Sequence, residues 1–248
     1  MTRAAVSVTF DNLGEASDLE RGWWPEDEPL GHHYSVTEAL PRVLSALDCA
    51  GLRATFFVEG LNTELYPDTL RSVDAAGHEV ACHGWRHERW GSLDAGAERA
   101  SLERSVRGMR SLGLEPCGFR PPGGELTASS PALLRELGFA YCSPALGAEA
   151  GGFPVLPFRW ELLDAYHYLP HFADRRGSPE PLPPARLRET LLAELDATAR
   201  AGGFLALLFH PFLCDTDERV QVLGDALARV RELVDTGAVR CAPCRDFA

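Results

Sequence analysis

The stretch RATFFVEGLNTELYPDTLRSVDAAGHEVACHG, from Arg53 to Gly84, carries the clearest fold signal in the chain. It begins with a short apolar segment that ends at Gly60 and continues with an amphipathic segment that ends at Gly77. A second apolar segment closes it. Apolar runs of this length predict β-strands, and the spacing between them predicts a helix that ends at the glycine. A strand, a helix and a second strand in this order favour parallel pairing.

The same alternation continues on both sides of this stretch. Helices are predicted at 37–51, 95–113, 129–138, 186–203 and 219–237, and further strands at 4–10, 116–124, 139–144, 153–160 and 204–212. The strand at 153–160 is rich in proline, which predicts that it is distorted. The run FLALLF in the strand at 204–212 is typical of a strand buried on both faces. The order predicts an α/β fold with a parallel sheet, open or closed into a barrel, in one domain over 1–248.

Composition and charge exclude several classes of function. The net charge of −12 disfavours nucleic acid as a partner, because phosphates require a basic surface. No apolar run is long enough to cross a bilayer, so no membrane partner is expected. The first residues contain no recognisable export signal, which favours a cytoplasmic location. The sequence leaves the oligomeric state open, a homo-oligomer included.

The cysteines are expected to be free thiols. Seven is an odd count, and the chain shows no export signal. Cys241 and Cys244 form a C-x-x-C pair, but no second pair accompanies it. We therefore expect these two residues to pack in a last strand and turn rather than to bind zinc or exchange electrons.

Polar side chains of chemical interest stand where the predicted strands give way to loops. They are Asp11 and Asn12 after the first strand, His83 and His87 after the third, Arg120 after the fourth, and His210 after FLALLF. In parallel α/β folds these strand ends meet at one mouth, where active sites lie. We therefore expect residues that are scattered in sequence to converge in space.

His83 and His87 stand four positions apart. On a helix or a helical turn both imidazoles would point the same way and could give two nitrogens to a zinc-like ion. No acidic residue lies between them, so the pattern differs from that of the metalloproteases. The spacing alone leaves open a partly exposed polar turn.

Asp11, Arg120 and His210 have the chemistry of a base, a carboxylate-binding cation and an acid. A carboxylate at a strand end can be a general base or a ligand, or it can cap a turn. Arg120 precedes a rigid Pro/Gly turn and can hold a carboxylate in a fork, although it could also be a surface residue. His210 could be a core residue, or it could be an acid or base that Asp164 orients.

Taken in order, these residues resemble the motifs of the polysaccharide deacetylase family, also called the NodB-homology family or carbohydrate esterase family four. The family's motifs are T-F-D-D-G, His-x-x-x-His, R-x-P, an Asp often with a Trp, and a His after an apolar strand. The matching residues are TFDN at 9–12, His83 with His87, Arg120 with Pro122, Asp164 with Trp160, and His210. The resemblance covers roughly residues 4 to 215. Each motif is short, but five of them in the right order are specific.

The resemblance implies a distorted (β/α)7 barrel of the polysaccharide deacetylase type. It implies metal-assisted hydrolysis of an amide C–N bond, usually the acetamide of an N-acetylated sugar. Asp11 would be the base that activates water, held in place by Arg120. His210 would be the acid that protonates the leaving nitrogen, with Asp164 behind it. The implied ligands of a divalent metal, expected to be Zn²⁺, are His83, His87 and the residue at position 12.

The third expected metal ligand departs from the family pattern. Where the family has its second Asp, this chain has Asn12, whose neutral amide is a poorer zinc ligand than a carboxylate. Asn12 could still ligate with lower affinity, or Glu15 or Asp18 could replace it. A third possibility is that Asp11 and His210 act without a metal. We expect a weakened or altered metal site.

The segment that follows Asn12 is a second departure. LGEA stands where the family has a glycine directly after the acids, and an acidic, aromatic segment then runs as far as His33. We expect this segment to cover the mouth of the site. The residues expected to contact a substrate are Trp24 from this segment, Pro122 and Trp160.

A covered site in a chain without an export signal fits a small substrate better than a cell-wall polymer. Softer similarities, in GHEVACHGWRHE and in the HP after FLALLF, are closest to the branch of allantoinase-like and cyclic-imide-hydrolysing members. The predicted substrates are an N-acyl amino sugar, a small N-acyl metabolite, or a cyclic ureide or imide. Two alternatives stay open. One is a catalytically silent member that binds a sugar or amide, which Asn12 favours, and the other is a metal site that only stabilises the fold.

Overall fold

Seven parallel β-strands form one sheet in residues 4–248, the part of the chain that the computed structural model describes. The strands are β1 (Ala4–Asp11), β2 (Thr55–Val58), β3 (Glu79–Cys82), β4 (Gly118–Phe119), β5 (Tyr141–Cys142), β6 (Phe204–Phe209) and β7 (Val239–Cys241). Their order is β5-β4-β3-β2-β1-β6, and β7 also pairs with β1. Residues 1–3 of the domain predicted over 1–248 lie outside the described residues.

β1 is the central strand and is buried along almost its whole length. β6 pairs with it from Ala5 to Phe10. β7 pairs with its beginning and β2 with its end, so these two strands share its other edge. Since every pair is parallel, the end of β1 at Asp11 emerges beside the ends of β2 and β6.

Helices connect consecutive strands. They are α1 (Ala16–Arg21), α2 (Leu40–Cys49), α3 (Asn62–Leu65), α4 (Pro67–Ala75), α5 (Ala95–Ser111), α6 (Ser130–Leu137), α7 (Asp164–Tyr168), α8 (Ala173–Arg176), α9 (Pro184–Ala201) and α10 (Asp217–Asp235). One turn of π-helix, Ser35–Ala39, precedes α2. The short helices α1, α7 and α8 are not predicted, because four to six residues contain too few apolar positions to show a period. Within residues 4–248, no helix is long and apolar enough to span a membrane.

The sheet closes irregularly between β5 and β6. The segment 153–163, which begins with the proline-rich stretch, forms isolated parallel bridges rather than a strand. The bridges join Cys142 to Val155, Ala145 to Phe158 and Leu163 to Leu208. Pro154 and Pro157 have no backbone N–H and cannot continue a ladder, which explains the interruption. The predicted distorted (β/α)7 barrel is confirmed, and its distortion lies in this segment.

The cysteines are free, as expected. Cys241 ends β7, and Cys244 is buried in the turn that follows, where its backbone N–H donates to Oγ1 of Thr55 at 2.8 Å. Burial raises the pKa of the Cys244 thiol to about 11. A protonated thiol is a poor ligand and nucleophile, so the packing role expected for the pair agrees with its surroundings.

Candidate active site

A large cavity opens at the carboxyl edge of the sheet. Its volume is about 890 Å³, which is within the range of small-molecule sites. The lining includes the residues expected to converge, namely Asp11, Asn12, His83, His87, Arg120 and His210. Strand ends that are far apart in sequence therefore contribute to one site.

Asp11 is the last residue of β1 and is 5% exposed. Nη1 of Arg120 donates to its Oδ1 at 2.7 Å. Its other oxygen, Oδ2, lies 3.9 Å from Nε2 of His83. The guanidinium thus occupies one carboxylate oxygen and leaves the other on the side of the imidazole.

Arg120 follows β4 and is 1% exposed. Besides Asp11, it donates to Oγ1 of Thr9 at 3.0 Å and, from Nε and Nη2, to Oγ of Ser143 at 3.2 and 2.9 Å. The guanidinium carbon also lies 4.1 Å from the centre of the Phe57 ring. These contacts on several sides prevent the group from swinging away from Asp11. Ser143 is not predicted, because only the fold brings it to Arg120.

The proton of His83 can be placed from its surroundings. Nδ1 lies 2.8 Å from the backbone carbonyl oxygen of Arg120, which can only accept, so Nδ1 carries the proton and donates. Nε2 then keeps its lone pair on the side of Asp11. Burial lowers the pKa of His83 to about 3, and a neutral imidazole with a free Nε2 is the form that binds metals.

His87 lies in an irregular turn and not on a helix. Its φ is 67° and that of Gly84 is 75°, so two left-handed residues interrupt helical geometry. The rings of His83 and His87 nevertheless meet edge to face, with centroids 5.0 Å apart. Burial, followed by the neighbouring His83, holds the pKa of His87 well below its ordinary value. The turn therefore presents two neutral imidazoles side by side.

Asn12 adopts a left-handed backbone conformation with φ of 58°. Its Oδ1 is buried and has no hydrogen-bond partner in the described part of the protein. A buried acceptor without a partner costs about 1–3 kcal/mol. An oxygen left in this state, on a residue that lines the same cavity as the histidine pair, suits a ligand.

Glu59 and Asn62 hold the backbone that follows Asn12. Oε2 of Glu59 accepts from the N–H of Leu13 at 3.3 Å, and Nδ2 of Asn62 donates to the carbonyl of Leu13 at 2.9 Å. Asn62 also donates to Oε2 of Glu59 at 3.1 Å. Both polar groups of residue 13 are thereby fixed, which stabilises the left-handed conformation of Asn12. Neither Glu59 nor Asn62 is predicted, although an acid directly after the apolar β2 is a signal that could have indicated one of them.

The acids that could replace Asn12 as a ligand point elsewhere. Glu15 is buried, but it accepts from the Tyr66 hydroxyl and from the N–H of Gly31, each at 2.7 Å. Asp18 lies 3.9 Å from Nε2 of His33. Neither Glu15 nor Asp18 belongs to the cavity lining, so the proposed replacement of Asn12 has no support from their positions.

The set of possible metal ligands among the described residues therefore lacks a third His, Cys, Asp or Glu side chain. In residues 4–248, no group of three His, Cys, Asp or Glu side chains is arranged to hold a metal ion. Two neutral imidazoles and the unpartnered amide oxygen of Asn12 nevertheless provide three donors. This set fits a divalent ion, and it lacks the carboxylate that would strengthen its binding.

His210 stands directly after β6 and is held by Asp164, the first residue of α7. Oδ2 of Asp164 accepts from the backbone N–H of His210 at 2.7 Å, and Oδ1 lies 2.6 Å from its Nδ1. Burial favours the neutral imidazole, but the charge and the hydrogen bond of Asp164 outweigh it and raise the pKa of His210. The ring is thus fixed in place and poised to carry a proton on Nε2.

Two of the three residues expected to contact a substrate line the cavity. Pro122 and Trp160 belong to the lining, and the Trp160 ring lies 5.1 Å from that of Phe158. Trp24 does not belong to it, and this expectation is corrected: its indole N–H donates to the carbonyl of Glu28 within its own surface segment, at 3.1 Å. The segment is held by local bonds of this kind, which the sequence pattern does not reveal.

A parallel barrel whose carboxyl edge gathers buried carboxylate, guanidinium and imidazole side chains is an α/β barrel with a polar site where such folds place their active sites. Residues 2–142 match the family described as polysaccharide deacetylase. The chain belongs to this family.

Curated relatives match part of the chain. Chitin deacetylase 1 of Saccharomyces cerevisiae is 37% identical over 104 residues, which are 42% of this chain and 33% of that protein. The peptidoglycan deacetylase of Helicobacter pylori is 33% identical over 103 residues, 41% of this chain and 35% of that protein. The matched region spans about a third of the length of these relatives.

Solved structures match nearly the whole chain. A crystal structure from Mycobacterium smegmatis, assigned by name to the polysaccharide deacetylases, is 30% identical with a TM-score of 0.85, and the match covers 99% of this chain and 89% of that one. The structure of PuuE allantoinase is 19% identical with a TM-score of 0.76, again over 99% and 89% of the two chains. At this identity the second match establishes the fold alone.

Proposed function

We propose that the protein hydrolyses a non-peptide amide C–N bond, most simply by deacylating an N-acyl amino sugar or a small N-acyl metabolite. One observation carries the proposal: Asp11 and His210 line the same cavity, and a buried partner fixes each of them. Amide hydrolysis needs both a base and an acid, because water must lose a proton and the leaving nitrogen must gain one. A module that only binds an amide has no need of this pair.

Asp11 is the proposed general base. Arg120 holds its Oδ1, which orients the carboxylate, while Oδ2 stays available to take a proton from water. Because Arg120 is itself fixed by Thr9 and Ser143, the position of the base does not depend on the substrate. This is the preorganisation that lowers the cost of reaching the transition state.

His210 is the proposed general acid. Asp164 accepts from Nδ1, which leaves the proton on Nε2 as the one that can be transferred to the leaving nitrogen. The raised pKa of His210 keeps a larger fraction of the imidazolium near neutral pH than a free histidine would have. Asp164 therefore acts on the reaction through His210.

His83, His87 and Asn12 are the proposed ligands of a divalent metal, most simply Zn²⁺. Such an ion would supply a Lewis acid that polarises the amide carbonyl and makes water easier to deprotonate. The hydrogen bond from Nδ1 of His83 to the Arg120 carbonyl fixes the imidazole in the orientation a ligand requires. The neutral Asn12 makes weaker binding the expected property of this site.

The cavity favours a small substrate. Its volume of about 890 Å³ lies in the range of sites for small molecules, with Pro122 and Trp160 as the apolar contacts. A cyclic ureide or imide is the alternative substrate class, because opening such a ring uses the same base and acid. The cytoplasmic location stays a prediction, which cell fractionation would test, and so does the oligomeric state.

The test is hydrolysis of a panel of acetamides, formamides and cyclic amides by protein stripped with a chelator and then supplied with zinc, cobalt or no metal. Amine release from the acyclic amides would support deacylation. Ring opening of the cyclic members alone would support the alternative substrate class. No turnover in the parent, together with binding of an amide, would instead support a silent binding protein.

Turnover and melting temperature of the chelated protein distinguish a catalytic metal from a structural one. If chelation lowers the melting temperature but leaves turnover unchanged, the metal only stabilises the fold. If chelation abolishes turnover and added metal restores it, while melting barely moves, the proposed role of the histidine pair is supported.

A further inference from the structure

The cavity is lined by three arginines that have no carboxylate partner within residues 4–248. They are Arg21, Arg89 and Arg175, all exposed at its rim. Some arginines elsewhere on the surface are paired, as Arg99 is with Glu136 at 2.7 Å, while others, such as Arg53 and Arg200, have no carboxylate partner among the described residues. Three of these unpaired guanidinium groups line one cavity, in a chain with a net charge of −12.

Arg21 acts on the interior of the cavity and not only on its rim. It ends α1, and His87 and His171 both line the same cavity. After burial, the charge of Arg21 further lowers the pKa of His171. Its positive field therefore reaches another residue of the cavity lining.

Arg175 is oriented by an aromatic ring. Its guanidinium carbon lies 4.3 Å from the centre of the Trp160 ring, which orders the group without using its N–H donors. A guanidinium stacked in this way can still offer its edge to a planar anion. Trp160 and Arg175 thus form an apolar surface with a cation beside it.

The negative groups of the lining do not cancel these charges. Glu125 and Asp174 also line the cavity, and neither has an ion pair in the described residues. Asp11 is already matched by Arg120. Asn12 is neutral where the family pattern has an acid. Three free cations therefore face two free anions, so an entering anion meets a net positive charge in an otherwise acidic protein.

We propose that the substrate carries a carboxylate, held by Arg21 with Arg89 and Arg175, so that the protein acts on a small anionic amide and not on a neutral sugar polymer. This inference rests on the proposed amide hydrolysis and names its substrate class. Guanidinium groups bind carboxylates through two parallel N–H donors, and an amide with a carboxylate nearby offers both the reacting bond and the anchor.

The test uses pairs of amides in which only one member carries a carboxylate. N-acetylglycine is compared with N-acetylglycinamide, and dihydroorotate with dihydrouracil, so that open and cyclic amides are both covered. We expect kcat/KM to be about tenfold or more higher for the carboxylate of the pair that is hydrolysed, the effect of a charge-assisted hydrogen bond. Arg21→Gln and Arg175→Gln should each reduce that preference several-fold, mainly through KM.

Arg200→Gln is the matched control, because Arg200 is exposed and lies outside the cavity lining. It should leave the preference unchanged. Equal or better turnover of the neutral member by the parent protein would overturn the inference, as would a preference that Arg21→Gln and Arg175→Gln do not reduce.

Binding keeps this inference separate from the proposed hydrolysis. If no member of either pair is hydrolysed, calorimetry should be used to compare the binding affinities of N-acetylglycine and N-acetylglycinamide. Tighter binding of the carboxylate, lost in Arg21→Gln, would support the anionic ligand although the hydrolysis proposal had failed. Equal binding of the two would overturn it.

Discussion

Two groups of residues at the cavity differ in how completely their side chains are fixed by hydrogen bonds. The acid–base part consists of Asp11 with Arg120 and His210 with Asp164, and every one of these four side chains is hydrogen-bonded and buried. Removing one member of a buried charged pair typically costs about 3–5 kcal/mol. This part therefore has one arrangement, which the fold enforces.

The proposed metal part consists of His83, His87 and Asn12, and its arrangement is less completely determined by hydrogen bonds. Two of its three residues have left-handed backbones, and the amide oxygen of Asn12 has no partner among the described residues. Unfavourable backbone conformations and orphaned polar atoms persist where the surroundings impose them, and they are common at functional sites.

The difference teaches where the chain has kept the family's chemistry and where it has changed it. The acid–base residues match the family motifs, and their partners are present in space. The metal part keeps both histidines and replaces the acid by Asn12. A change in metal affinity is therefore expected to arise from this corner, with the proposed acid and base unaltered.

Removing the charge of Asp11 should have the largest effect on turnover. Asp11→Asn keeps an acceptor for Nη1 of Arg120 but leaves this buried cation without its counter-charge, so we expect a less stable protein that has lost the proposed base. We expect kcat to fall by roughly 10²–10⁴-fold, the usual contribution of a positioned base, with ligand affinity little changed. Asp27→Asn makes the same chemical change at an exposed position. Full activity in a folded Asp11→Asn protein would remove Asp11 from the mechanism.

Asp164→Asn should have the next largest effect and should change the pH profile. Burial favours neutral His210, and without the Asp164 carboxylate only the smaller effect of the Asp11 charge opposes it, so the pKa of His210 should fall. We expect a loss in kcat of roughly 10–100-fold, and a high-pH limb of the activity profile displaced to lower pH. An unchanged limb would mean that His210 is not the titrating acid.

The same pair makes a stability prediction of definite sign. Because the folded pKa of His210 lies above its ordinary value, the folded chain binds the proton more tightly than the unfolded chain does. The stabilising contribution is complete below the ordinary pKa of 6.5 and is lost as pH rises through the raised pKa. Urea unfolding of the parent and of Asp164→Asn across this range should give curves that converge as pH rises.

Asn12→Asp tests the metal part directly and should have a smaller effect. The carboxylate restores the anionic ligand, so affinity for Zn²⁺ and Co²⁺, measured by calorimetry at pH 7, should rise by about tenfold or more. Asn12→Ala, which removes the oxygen, should lower it. Affinities that do not respond to either change would exclude position 12 from the ligand set.

The acid–base part could be predicted from the sequence, and much of the support around it could not. Asp11, Arg120 and His210 follow short apolar strands, and parallel pairing sends such positions to one edge. Ser143 and Glu59 are different, because their contacts with Arg120 and Leu13 join residues 23 and 46 positions apart. Such contacts form only in the folded protein, so no local sequence pattern predicts them.

The same limit applies to the irregular elements. The prolines of 153–160 predict a distorted strand, but hydrophobic periodicity cannot say that this segment connects β5 to β6 through single bridges. The spacing of His83 and His87 predicts two neighbouring rings, and it cannot distinguish a helix from the left-handed turn observed.

Glu59→Gln should have the smallest effect on turnover and should still distinguish the acid–base part from the metal part. Burial raises the pKa of Glu59 to about 8, so at pH 7 its side chain is mostly neutral and glutamine is a close substitute. We expect turnover at pH 7 within about twofold of the parent, since an amide oxygen can still accept from Leu13 and Asn62.

The pH dependence of stability should reveal the protonation state of Glu59, which turnover at pH 7 does not. Between the ordinary pKa of 4.5 and about 8 the folded chain holds a proton on Glu59 that the unfolded chain releases, so the parent loses stability as pH rises. Glu59→Gln lacks this loss, and its free energy of unfolding should gain on the parent until about pH 8 and then run parallel. Glu26→Gln, an exposed control, should track the parent throughout. Parallel curves for Glu59→Gln would show that Glu59 is ionised in the folded chain, and the metal part would then have a carboxylate close behind Asn12 after all.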